Sequence, residues 1–199
     1  SFEIFTELEK LLEEDYRHPV PTGVDGLDNI LNGGLAKGEI GVILAPTGVG
    51  KTTMLTRFAN TAFNMGYNVL QIFFEDNPKI IQRKHFTCWT GIPNDKLSEH
   101  KETVLDKADE MKKTGGKLIL KKLPSDEMSM LQIKNQVRKI ISEGTKIDMI
   151  LIDYIDCILP DRAFNDEWKG EGSVMRKFEG MCHELNLAGW TATQGNRTS

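Results

Sequence analysis

The spacing of apolar residues divides the chain into one short amphipathic segment and a longer alternating array. Phe2, Phe5, Leu8 and Leu12, with Leu11 beside them, recur at three- and four-residue steps, which predicts a helix over 2–15 with one apolar stripe. Pro19 and Pro21 bound it, so residues 17–22 read as a linker. From Gly38 the pattern predicts strands over 39–44, 68–74, 117–122, 148–153 and 189–194. Helices are predicted between them over 51–65, 78–88, 98–113, 128–143 and 173–187. Strands alternating with helices indicate an α/β fold, a mainly parallel sheet with helices on both faces. The division is a linker helix over 1–16 and one core domain over 17–199, with no internal repeat or low-complexity tract.

Composition narrows the class. Of 199 residues, 39% are hydrophobic and 27% charged, as in a globular domain large enough to bury its own core. The longest apolar run, 40–46, is too short to cross a bilayer, so no membrane association is expected. Cys88, Cys157 and Cys182 form no C-x-x-C pair, and His18, His85, His100 and His183 have no metal-ligand spacing. A reducing, cytoplasmic setting follows. Residues 1–17 hold six acids against Lys10 and Arg17, and so carry the whole net charge of −4. The remainder is balanced, so bulk charge would not bind nucleic acid; local loops or several subunits together must supply the grip.

Ala45-Pro46-Thr47-Gly48-Val49-Gly50-Lys51-Thr52-Thr53 follows the first core strand and opens the first long helix. It is a phosphate loop with Ala45 in place of the first glycine. Gly48 and Gly50 let consecutive N–H groups turn toward a phosphate at the helix amino terminus. Lys51 places a charge between β- and γ-phosphates, and the Thr52 hydroxyl ligates Mg²⁺. The chain is therefore expected to bind a nucleoside triphosphate, with ATP and Mg²⁺ as its ligands.

Three further strand ends point to the same edge. Asp153 closes an apolar strand and can hold the water shell of Mg²⁺ opposite Thr52. Glu75 directly follows Phe74 and can orient and deprotonate an attacking water. Gln194 ends the last strand with an uncharged amide able to register the γ-phosphate. Asp148 and Asp156 read as turn residues.

In order along the chain stand Pro21-Thr22-Gly23, Leu27-Asp28, Gly33-Gly34-Leu35, the phosphate loop, Phe73-Phe74-Glu75, Thr90-Gly91-Ile92-Pro93, Ile152-Asp153-Tyr154 and Thr193-Gln194-Gly195-Asn196-Arg197. This series resembles the RecA-type core of the DnaB-like hexameric replicative helicases, especially phage versions, over residues 17–199. The resemblance implies Glu75 as catalytic base, Asp153 as the Mg²⁺-linked acid, Gln194 as sensor and a sheet order of 3-2-4-5-1. It also implies Arg83 as an arginine near the phosphates. It implies a homo-hexamer acting on single-stranded DNA, with a primase or loader as possible partner, and a linker helix that docks on the neighbouring subunit; the alternative is that Phe5, Leu8 and Leu12 fold back onto their own sheet. In such rings the loops after the fourth and fifth strands face the channel. The first corresponds here to residues 161–172, with Gly170 and Gly172 expected to give it mobility. Arg162, Trp168 and Lys169 within it, and Arg176 and Lys177 just beyond, are the candidate DNA contacts. The family's arginine finger lies beyond the sensor; starting at Ser1 and ending at Ser199, the sequence reads as a core cut from a longer protein.

Other readings share parts of this pattern. A KaiC- or RecA-like ATPase of recombination or regulation fits Gly23 to Asp28 equally, whereas Asp153-Tyr154 and Gln194 to Arg197 favour the helicase. A nucleotide-dependent assembly module would not need Glu75. A small-molecule kinase would need an arginine-rich lid segment that is not seen.

Overall fold

A computed structural model describes residues 4–6, 9, 12, 17–46, 48–160 and 167–194, with the backbone alone for 167–171. The helix expected over 2–15 thus falls for the most part outside the described residues; of those described, 4–6 form a turn where helix was expected, and 9 and 12 are helical. Five parallel strands form the sheet: β1 (Ile40–Leu44), β2 (Val69–Phe73), β3 (Leu118–Lys122), β4 (Met149–Asp153) and β5 (Ala188–Thr193). Their spatial order is β1-β5-β4-β2-β3, which is the expected 3-2-4-5-1 read from the other edge. From residue 17 on, the α-helices among the described residues are α1 (Asp25–Ile30), α2 (Lys51–Asn64), α3 (Pro78–Thr90), α4 (Lys101–Met111), α5 (Met130–Ser142) and α6 (Glu167–Leu185).

Every residue of β2 and β4 is buried, as central parallel strands covered on both faces require. Alternate side chains feed two separate cores. Leu70, Ile72, Ile150 and Ile152 pack with Ile133 and Val137 of α5 and with Phe178 and Met181 of α6. Val69, Met149, Leu151 and Trp190 pack with Leu55, Phe58 and Ala59 of α2 on the opposite face. Phe58 and Trp190 meet with ring centroids 4.6 Å apart. Each such fully buried side chain contributes about 1.5–3 kcal/mol relative to exposure.

Local chemistry sets the helix starts. Asn77 caps α3 by accepting from the Lys79 N–H, with Pro78 in the first turn, and Ser129 and Gln132 form a reciprocal capping box on α5. The unforeseen α1 is six residues long, buries none of them, and has no side-chain cap. Tertiary bonds fix it instead: the Asp28 carboxylate accepts from Thr22 N, Thr22 Oγ1 and Gly23 N at 2.7, 2.7 and 3.0 Å.

Two expectations need correction. The segment 98–113 begins as a 3₁₀ turn over Asn94–His100 before α4 starts. The expected loop over 161–172 does not extend to 172, because α6 begins at Glu167 and includes Gly170 and Gly172; residues 161–166 lie outside the described residues. A glycine inside a helix costs about 1 kcal/mol but stops it only when it takes a left-handed conformation, and Gly172 does not.

Candidate active site

The carboxyl ends of β2, β4 and β5 and the amino terminus of α2 meet at one sheet edge, where an open parallel sheet places its ligands. Gly48 and Gly50 have φ of 82° and 90°, left-handed values that only glycine adopts freely. Gly50 is the residue before α2, so the turn brings the chain directly into the helix amino terminus. The resulting cleft has a volume of about 280 Å³ and is lined by Gly48, Gly50, Lys51, Thr52, Thr53, Phe73, Glu75, Asp76, Lys84, Asp153, Tyr154 and Gln194.

Lys51 is 9% exposed, and its Nζ has no hydrogen-bond partner among the described residues. Its company is the Tyr154 ring, with Nζ 5.1 Å from the centroid. A buried ammonium left this way is costly, and an anion entering the cleft would relieve it. Burial raises the pKa of the Asp153 carboxyl, opposed by the Thr52 hydroxyl hydrogen bond and by Lys84 and Lys51. A buried carboxylate beside a hydroxyl at a phosphate loop fits a hard divalent cation. Glu75 is exposed at the mouth of the cleft, and Tyr154 Oη donates to its Oε1 at 3.2 Å.

The structure therefore brings together Lys51, Thr52, Thr53, Glu75, Asp153 and Gln194, with Gly48 and Gly50. Ala45 and Pro46 lead from β1 toward them, and the Ala45 N–H donates to the Thr193 carbonyl at 3.3 Å; Val49 is exposed on the turn. Thr47 lies outside the described residues. Arg83 is not brought in. Its guanidinium turns away to the Asn94 side chain, at 2.9 Å, and to the Asn94 carbonyl. The cation that lines the cleft is its neighbour Lys84, which pairs with Asp76 at 2.7 Å. Residue 83 is rotated about 100° about the helix axis from residue 84, so the two neighbours point to different sides of α3.

Sequence reasoning also missed the role of Asp156. It sits on a 3₁₀ turn, but its carboxylate accepts from Thr193 Oγ1 at 2.6 Å and from Gln194 N at 2.8 Å. Asp148 ties the starts of β2 and β4 together at the opposite end of the sheet, accepting from Asn68 N at 2.9 Å, and pairs with Lys146 at 2.9 Å. Of the candidate DNA contacts, Arg176 and Lys177 are exposed on α6 and border a groove with Leu131 and Lys134 of α5. Trp168 and Lys169 are in α6 with side chains outside the description, and Arg162 lies outside the described residues.

Comparison with known proteins agrees with this geometry. The family model for the DnaB-like helicase C terminal domain matches residues 19–199. The replicative DNA helicase DnaB of Helicobacter pylori is 24% identical over 182 residues, covering 90% of this chain and 37% of that protein. The DNA repair protein RadA of Aquifex aeolicus is 30% identical over 131 residues, covering 66% of this chain and 26% of that protein. The solved structure of a DnaB-like replicative helicase and its interactions with primase matches 98% of this chain and 50% of its own, with a TM-score of 0.81 and 18% identity. This chain thus spans between a quarter and a half of the length of these relatives.

Proposed function

The chain belongs to the DnaB-like helicase C-terminal domain family, and from that premise we propose that it is the ATP-hydrolysing motor of a replicative DNA helicase. The observation that carries the reading is the buried Lys51 ammonium at a phosphate loop, without a hydrogen-bond partner among the described residues and facing acids from two strand ends and an amide from a third. In this reading the backbone N–H groups around Gly48 to Gly50 and the Lys51 Nζ bind the β- and γ-phosphates of ATP. Thr52 and Asp153 would hold Mg²⁺, which when bound would neutralise charge on the phosphates. Glu75, oriented by Tyr154, takes the proton of the attacking water. Lys84 offers a second cation in the cleft, in the place first given to Arg83. Gln194 registers the γ-phosphate and passes its loss to the residues beyond.

The intact protein is proposed to work as a cytoplasmic homo-hexamer with ATP between subunits. Arg162, Trp168, Lys169, Arg176 and Lys177 contribute weak contacts to single-stranded DNA that add up around the ring. The exposed Phe5 and Leu12 support an amino-terminal helix that docks on the neighbouring subunit rather than on its own sheet. A primase or loader is a proposed partner, since a structural relative is described with primase. No helix among the described residues is long and apolar enough to cross a membrane. The similarity to RadA supports a second reading, an ATPase of DNA repair that does not unwind forks. The full-length protein, given ATP and a forked duplex with a single-stranded tail, separates the two. Strand separation that requires ATP is expected; DNA-stimulated hydrolysis without separation would favour the repair reading.

A further inference from the structure

The ladder between β4 and β5 ends at the pair Ile152–Thr191, while β5 continues beside β1 as far as Thr193. Gln194 lies one residue past the β1 ladder and three past the β4 ladder, so neither holds its N–H. Asp156 does. Its Oδ2 accepts from Gln194 N at 2.8 Å and its Oδ1 from Thr193 Oγ1 at 2.6 Å, so both oxygens of one carboxylate serve consecutive residues. The turn carrying Asp156 is itself fixed, because Ile155, Cys157 and Ile158 are buried in the core beneath α5 and α6. Three of four consecutive residues then serve three strand ends. Asp153 ends β4 in the cleft, Tyr154 donates to Glu75 after β2, and Asp156 holds Gln194 after β5.

We propose that Asp156 is a positioning residue, whose carboxylate fixes the backbone of Gln194 at the cleft in register with Asp153 and Glu75. The inference rests on the reading of Gln194 as the γ-phosphate sensor. Charge-assisted bonds of this kind are roughly twice as strong as neutral ones and hold direction. Their loss would let the amide drift without touching the phosphate loop, and misplacement by about 1 Å costs up to about a hundredfold in rate.

The test uses the full-length protein and measures kcat for ATP hydrolysis, the affinity for a fluorescent ATP analogue, and the melting temperature. Asp156→Ala, assayed well below its melting point, is expected to lower kcat about tenfold or more while analogue affinity stays within about twofold. Asp156→Asn keeps an acceptor oxygen and should recover most of the rate. A purely structural role would lower the melting temperature and leave kcat in place; kcat within twofold of wild type in folded Asp156→Ala overturns the proposal. Should Asp156→Ala fail to fold, Thr193→Val removes one of the two donors at nearly constant volume. A fall in its kcat of about threefold is expected, and an unchanged value overturns the proposal. Gln194→Ala separates the two levels. If it slows hydrolysis while Asp156→Ala does not, only the positioning role falls; if wild type hydrolyses no ATP, both fall.

Discussion

Consecutive residues of α3 face two different hollows. Lys84 lines the charged cleft of about 280 Å³, together with Lys51, Glu75, Asp76 and Asp153. His85 is buried and borders a larger hollow of about 480 Å³, walled by Phe63, Phe86, Trp89, Met111, Leu118 and Leu120. Its ring is clasped between α2 and β2, with Nδ1 2.6 Å from Asn60 Oδ1 and Nε2 2.8 Å from Gln71 Oε1. The larger hollow is apolar and holds α3 and α4 onto the sheet; the smaller concentrates charge. Size therefore does not mark the working site. What marks it is a buried cation without a hydrogen-bond partner among the described residues, set among acids from two strand ends and an amide from a third.

Substitutions on the two sides should separate cleanly. The largest effect on nucleotide binding is expected from Lys51→Ala, which removes the charge awaiting phosphate. Nucleotide affinity by fluorescence titration should fall about a hundredfold or more, with the melting temperature of the free protein nearly unchanged. Phe63→Ala on the apolar side should do the reverse, costing about 3 kcal/mol in urea unfolding while kcat at 25 °C stays within twofold.

His85 adds a pH signature to the apolar side. Burial lowers its pKa from 6.5 to about 4, so between those values the unfolded chain binds the proton more readily than the folded one. Stability should therefore fall as pH drops through that window, by about 2 kcal/mol between pH 7.5 and 5. His85→Gln should flatten that part of the profile in urea melts. The smallest effect belongs to Tyr154→Phe, which keeps the ring beside Lys51 but deletes the bond to Glu75. A fall in kcat of about fivefold at unchanged nucleotide affinity is expected, from the typical 0.5–1.5 kcal/mol of one hydrogen bond.

The same contrast explains what could be read from the chain. The strands and the phosphate loop were legible because periodic apolar runs and the paired glycines report on local geometry. β4, for example, is apolar up to Asp153, so its acid had to emerge at the sheet edge. The sheet order came only through the family resemblance, since spacing cannot order parallel strands. Lys84 was missed for its neighbour because the choice depends on a rotation of one residue about α3. Asp156 was read as a turn residue because nothing local says that β5, more than thirty residues later, ends beside it. The extent of α6 was underestimated because Gly170 and Gly172 weigh against a helix locally, while the apolar face from Val174 to Cys182 packs into the core.

The central claim is that Glu75 serves as the base at a cleft built to hold ATP. Its most direct test is single-turnover hydrolysis by the full-length Glu75→Gln protein beside the measured affinity for ATP. The account expects affinity within about threefold of wild type and a rate lower by about a thousandfold, the middle of the range for a lost general base. Hydrolysis at the wild-type rate would contradict it and remove Glu75 from the site.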